Sequence, residues 1–185
     1  MKKNLILFAV ALALIACNQN QPTAAMVEGA WELRTVVYDH TVYADQTGTT
    51  HYSEESTTRT YDTKEDVWLF YDGHISEWQY VESKGESFWS GYMCDCERVY
   101  DIIEERQDHT KSLSIEEKTR SIIPESCGTW STQLYKVEKL NSNEMILTTV
   151  IRMSVSEKQE LVDIFVTYTF RREKTLLDYL KKMRG

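Results

Sequence analysis

Along most of this chain, apolar and aromatic residues recur at every second position. In GAWELRTVVY, Trp31, Leu33, Thr35 and Val37 alternate with Glu32 and Arg34. A period of two sends one set to one face of a β-strand and the other set to the opposite face. VWLFYDGHISEWQYV carries two aromatic-rich runs around Asp72 and Gly73, a dipeptide suited to a two-residue hairpin. VYADQTGTTHY reads as a hairpin turning near Asp45 to Gly48, and WSTQLYKVEKLNSNEMILTTVIRMSV as another around NSN. SFWSGYMCDCERVYDII reads as one long strand bent at Gly91, and ELVDIFVTYTFRR closes the series. The stretch from Arg106 to Ser126, polar and carrying Pro124, reads as irregular.

Connections between these runs are short and polar, without crossover helices, which argues against a parallel sheet. The expected fold is all-β, an antiparallel meander of eight to ten strands. Closure into a barrel removes exposed edges, and a two-sheet sandwich is the alternative. An outer-membrane barrel is not expected, because many strand positions on one face are charged. The end of the chain differs. EKTLLDYLKKMRG spaces Leu176, Leu177, Leu180 and Met183 by three and four, which predicts an amphipathic helix within 173–185. Six basic and two acidic residues between Arg171 and Arg184 give this tail a positive balance. That balance suits either a solvated face or an anionic bilayer surface.

Of the 185 residues, 42% are hydrophobic, and five Trp, eleven Tyr and five Phe supply enough apolar surface for one ordinary domain with a real core. The net charge of −8 argues against nucleic acid as a partner, since phosphate binding needs a basic footprint.

The first residues form a segment of their own. Lys2 and Lys3 precede an unbroken apolar run from Leu5 to Ala16. A spanning helix needs about 20 such residues, so the run reads as a secretory signal. It ends in L-I-A-C, at Leu14 to Cys17, which resembles the lipobox of bacterial lipoproteins. The resemblance implies cleavage after Ala16 and acyl chains on Cys17. Two or more chains hold a protein to a bilayer without a spanning helix. The expected division is a signal peptide over 1–16 and a lipidated N-terminus and tether over 17–27. Loss of Lys2 and Lys3 moves the net charge from −8 to −10. Asn18, not an aspartate, follows Cys17, and NQNQ has no acidic run. By resemblance to lipoprotein sorting signals, the expected location is the outer membrane, facing the periplasm.

Immediately after the tether, G-A-W-E-L places Gly29, Trp31 and Leu33 at the start of the first strand. This resembles the G-x-W opening of lipocalins and of lipocalin-like bacterial lipoproteins. Y-T-F-R-R, at Tyr168 to Arg172, resembles that family's closing strand, and Tyr135 to Leu147 its late hairpin. The resemblance implies a lipocalin-like barrel over 28–172 and a helix over 173–185. It implies that Trp31 closes one end with Arg172 lying across it, Arg171 being the alternate. It also implies a small apolar ligand. The middle T-D-Y motif of animal lipocalins is absent, which points to the divergent bacterial branch. Trp68, Phe70, Trp78, Tyr80, Phe88 and Tyr92 crowd the central strands with Trp89. They are the candidate cavity lining, and core packing is their ordinary role.

With Cys17 lipidated, Cys94, Cys96 and Cys127 remain, in an oxidising compartment that favours a disulfide. Two apart in a strand, Cys94 and Cys96 are expected on one face about 6.5–7 Å apart, where strand geometry makes a bond between them unfavourable. One of them is expected to join Cys127. Cys96–Cys127 closes the slightly shorter loop, but spacing does not choose between them. C-D-C with His109 falls short of the usual four zinc ligands, so no metal is expected. His40, His51, His74 and His109 are scattered. G-E-S-F-W lacks the second glycine of a nucleophile elbow, and no zinc-protease or phosphate-loop motif is present. The acidic pairs Glu104–Glu105 and Glu116–Glu117 are adjacent and face opposite sides of a strand. The expected function is therefore non-catalytic and without cofactor: a lipid-anchored binding module. The alternative is an accessory protein that uses the 39–66 and 106–126 segments to touch an envelope partner.

Overall fold

The structure is a computed structural model, which describes residues 22–43, 51–91, 96–104, 111–119, 130–155 and 160–184. The expected lipidation of Cys17 lies outside these residues. So do Tyr92, His109, Cys94 and Cys127, and with them the expected Cys96–Cys127 disulfide.

The described chain is all-β apart from two short helices. Its strands are β1 (Gly29–Tyr43), β2 (His51–Thr60), β3 (Val67–Tyr71), β4 (His74–Ser83), β5 (Glu86–Gly91), β6 (Cys96–Glu104), β7 (Lys111–Thr119), β8 (Trp130–Leu140), β9 (Glu144–Val155) and β10 (Glu160–Glu173). The helices are α1 (Ala24–Val27), before β1, and α2 (Thr175–Arg184), after β10. All pairings are antiparallel. The order β1–β3–β4–β6–β7–β8–β9–β10 returns to β1 and forms a ring of eight strands. Closure runs from Ala30↔Glu173 to Tyr43↔Leu161.

The two remaining strands extend others. β1 pairs with β3 through Gly29–Glu32 and with β2 from Thr35 onward. β4 likewise pairs with β6 at His74 and Ile75, and with β5 beyond Trp78. An irregularity between Leu33 and Thr35 lets β1 change partners. There Leu33 N donates to Asp66 O, and Tyr61 N to Arg34 O. The buried Glu32 carboxylate is satisfied at this point by Lys64 N and by Arg34 Nη1.

Local chemistry explains the turns. Asp72 and Gly73 both have positive φ, as a two-residue hairpin with primed geometry requires. Asn141 Oδ1 accepts from Asn143 N and Glu144 N, each at 2.9 Å, and holds the NSN turn. The Arg106–Ser126 stretch departs from expectation, because Lys111–Thr119 within it is β7. Leu113 and Ile115 point into the ring, while the serines and glutamates around them hide the alternation.

Two cores lie on opposite faces of the sheet. Inside the ring, Trp31, Leu33, Trp68, Phe70, Leu113, Tyr135, Leu147 and Phe170 belong to one cluster. Outside it, Ala30, Val67, Leu69 and Trp89 pack under Leu176 of α2. β3 is buried on both faces, which explains its unbroken apolar run. The Glu173 carboxylate caps α2, accepting from Thr175 N at 3.0 Å, Thr175 Oγ1 at 2.7 Å and Leu176 N at 2.7 Å.

Candidate functional site

One end of the ring is plugged. Trp31 is fully buried there and donates from Nε1 to Val27 O of α1 at 2.7 Å. Arg172, its register partner on β10, lies over the indole with Cζ 3.8 Å from the ring centroid. The guanidinium also donates to Glu28 O at 2.6 Å and to Met26 O at 3.3 Å, tying the entering chain to the last strand. Burial lowers the Arg172 pKa from its ordinary value. Gly29 makes this approach feasible. Its φ is +119°, and a Cβ there would stand 2.2 Å from Arg172 Nη1. The structure thus brings together Trp31 and Arg172, the pair expected to close one end, and sets Gly29 of the opening G-A-W stretch against the same guanidinium; Arg171 is exposed.

Beyond the plug, aromatic rings fill the interior. Trp68 and Phe170 have centroids 5.1 Å apart, Phe70 and Tyr100 5.2 Å, and Tyr135 and Tyr168 5.7 Å. Of the expected cavity residues, Trp68 and Phe70 face inward and belong to this core. Trp78 and Tyr80 do not, which corrects their assignment. Trp78 stands opposite the outward Val67, and both side chains pack in the outer core with Trp89 and α2. Phe88 pairs with Val81 in the β4–β5 hairpin and is exposed.

A layer of charged groups borders this aromatic interior, and the sequence reading missed it. Strand alternation places Asp66, Trp68, Glu77, Arg98 and Glu117 on the inner face. The Arg98 guanidinium lies over the Trp68 ring, with Cζ 4.4 Å from its centroid. Its Nη1 is hydrogen-bonded to Glu77 Oε1, while its Nε is 3.8 Å from Glu117 Oε2. Burial raises the Asp66 carboxyl to about 6, and the nearby Glu77 charge pushes the same way. The Trp68 indole N–H, directed at this carboxylate, and the Arg98 charge oppose that rise.

Burial also raises the tyrosines here. Tyr168 moves furthest, with the neighbouring tyrosines adding to the rise and Arg98 opposing it. Tyr135 and Tyr61 are raised by burial, each partly offset by an arginine, Arg98 and Arg59 respectively. In this layer Arg98 Nε makes no hydrogen bond, and Asp66 Oδ1 and Trp68 Nε1 have no well-aligned partner other than each other. Buried polar groups are nearly always paired, and this layer gathers several charged groups against the aromatic interior, so it is taken as the candidate site. One guanidinium, three carboxylates and aromatic faces are the groups it offers.

Arg98 could have been noticed in the sequence. It occupies the same alternation phase as Tyr100 and Ile102, and Glu77 shares that of Ile75. His74 lies exposed beside the Asp72–Gly73 turn. Among the described residues, no group of three or more His, Cys, Asp or Glu is placed to hold a metal ion, and no helix is long and apolar enough to cross a membrane. Comparison of the chain with protein-family models, with curated proteins and with solved structures gives no match in any of the three.

Proposed function

We propose that this chain is a lipid-anchored lipoprotein of the bacterial envelope, a lipocalin-like barrel that binds a small ligand with a largely apolar body and catalyses no reaction. The observation that carries the reading is the asymmetry of the ring interior. One end is filled by Trp31, Arg172 and α1, and the aromatic interior beyond it is bordered by the charged groups Asp66, Glu77, Arg98 and Glu117. Ligand sites combine these features: apolar walls with a few converging polar groups.

The anchor rests on the lipobox at Leu14 to Cys17, and the outer-membrane, periplasm-facing location on Asn18. Cys17→Ala is expected to abolish acylation and release the protein from membranes. An acylated Cys17→Ala chain would overturn the anchor. The binding role is tested by purifying the full chain under mild conditions, extracting it with organic solvent and weighing what it releases. A stoichiometric small molecule is the expected result.

One observation favours the alternative of an accessory protein. Leu134, Val150 and Phe165 are 49%, 47% and 44% exposed on the outer wall, beside an open pocket of about 430 Å³. An empty protein that co-purifies with one fixed partner would support that reading instead.

A further inference from the structure

The C-terminal tail runs against the charge of the chain as a whole. Six basic and two acidic residues stand between Arg171 and Arg184, in a chain with 29 acidic and 21 basic residues. The fold buries the Glu173 carboxylate as the cap of α2 and leaves Arg171, Lys174, Lys181 and Lys182 exposed. Asp178 is the tail's remaining acid. It stands 4.0 Å from Lys181, but the two side chains are 70% and 79% exposed, so the pair does little to neutralise this face.

An apolar edge accompanies these cations. Leu69, Tyr71, Leu177 and Leu180 line a cleft of about 260 Å³ between α2 and β3, and Lys181 completes the lining. Met183 at 69% and Tyr71 at 57% are the most exposed large hydrophobic side chains among the described residues. Apolar groups flanked by lysines suit a helix that lies in a bilayer interface. The expected anchor is at the same end of the molecule. Cys17 stands five residues before Pro22, a reach of about 18 Å at most. Arg172 holds α1, which follows, through Met26 O and Glu28 O, and α2 starts three residues after Arg172.

We propose that the outer face of α2 docks on the surface of a bilayer that contains anionic phospholipid. Lys174, Lys181 and Lys182 meet lipid phosphates, while Met183 and the Tyr71 ring enter the headgroup layer. The orientation rests on the anchor proposed above; the charge and the apolar edge do not depend on it. Attraction between exposed charges fades over about 8 Å at physiological salt, so the short tether is what brings the lysines into range. Docking sets the plugged end of the ring toward the bilayer and the opposite end away from it.

The test is the rate at which a water-soluble amine-reactive reagent modifies each lysine of the full chain, read by mass spectrometry. The chain is mixed with vesicles of phosphatidylcholine, or with vesicles in which about 30% is replaced by phosphatidylglycerol. Lys181 and Lys182 are expected to react at least fivefold more slowly on the anionic vesicles. Lys84, in the β4–β5 turn at the opposite end of the ring, should stay within twofold. Salt at about 0.5 M should remove the protection. Lys181→Glu with Lys182→Glu, both at exposed positions, should abolish the protection of Lys174. Equal rates on the two vesicles would overturn the proposal, as would equal protection of Lys84 or a Lys174 that stays protected in the double variant. Protection of Lys181 that needs no vesicles and grows with chain concentration would assign the face to a second copy of the chain instead. The intact mass of the same sample reports acylation separately. An acylated chain without protection at α2 overturns the docking and leaves the anchor standing. Protection without acylation supports the docking and overturns the anchor.

Discussion

The plugged end and the charged layer share one ring, yet they treat buried polar atoms in opposite ways. At the plug, Trp31 Nε1 has Val27 O, and the Arg172 guanidinium has two backbone carbonyls and an aromatic face. In the layer, Arg98 Nε is 3.8 Å from Glu117 Oε2 and makes no hydrogen bond, and burial raises the Asp66 carboxyl to about 6 with only the Trp68 indole N–H and the Arg98 charge opposing the rise. Leaving a buried polar group unpaired costs about 1–3 kcal/mol. A chain that satisfies one end so fully could satisfy the other with ordinary apolar residues. The contrast separates a part built for closure from a part whose chemistry stays unused within the fold.

The largest expected effect is at the plug. Trp31→Ala removes a fully buried indole and strands Arg172 without its π face. Large-to-small core changes of this kind cost about 3–5 kcal/mol. Urea unfolding should register the loss as a lower midpoint at an unchanged slope. A loss below about 1 kcal/mol would mean that the plug does not hold the ring together. Next comes Arg98→Met, which keeps length and removes charge. It leaves Glu77 and Glu117 unpaired beside Trp68 and should cost about 2–3 kcal/mol. A more stable Arg98→Met protein would show that the layer is maintained against stability, which sharpens the contrast with the plug. Gly29→Ala follows at about 1–3 kcal/mol, from left-handed backbone strain and displacement of Arg172. Its unfolding midpoint should fall, and the mutant should lose the Arg172–Trp31 contact in its NMR spectrum.

These two regions also differ in how far they could be read from sequence. The plug is local in character. Gly29 and Trp31 are two residues apart, and Arg172 ends the last strand, so short patterns expose all three. The Asp72–Gly73 and NSN turns were legible for the same reason, as was α2 from its three-and-four spacing. The layer is assembled from four strand segments, and each of its charges looks like a solvated position when its strand is read alone. Glu77 becomes interior only once β3 and β4 are paired, because Trp68 stands opposite it. The same limit misplaced Trp78 and Tyr80. Alternation separates two faces but does not say which is inside, and here α2 supplies a second apolar environment outside the ring. β7 was missed because Ser112, Ser114, Glu116 and Glu117 dilute the only two strongly apolar residues, Leu113 and Ile115.

The smallest expected effect probes the layer through pH. Asp66 has a folded-state pKa of about 6, raised from an ordinary 3.8, so the folded protein binds this proton more tightly than the unfolded chain does. The group therefore destabilises the fold above about pH 6. That penalty fades as pH falls and is gone below about 4, the reverse of a salt-bridged carboxylate. Its size is of the order of 1 kcal/mol once the partial exposure of Asp66 is allowed for. Asp66→Asn removes the titration. Between pH 7.5 and 4.5 the unmodified protein should gain stability relative to Asp66→Asn, and the two curves should converge toward the acid side. Groups common to both chains cancel in that difference, including Arg172 and Asp163 with its Arg152 partner. If the difference stayed flat over this range, the Asp66 carboxylate would be as well satisfied as the polar groups of the plug, and the contrast between the two regions would fail.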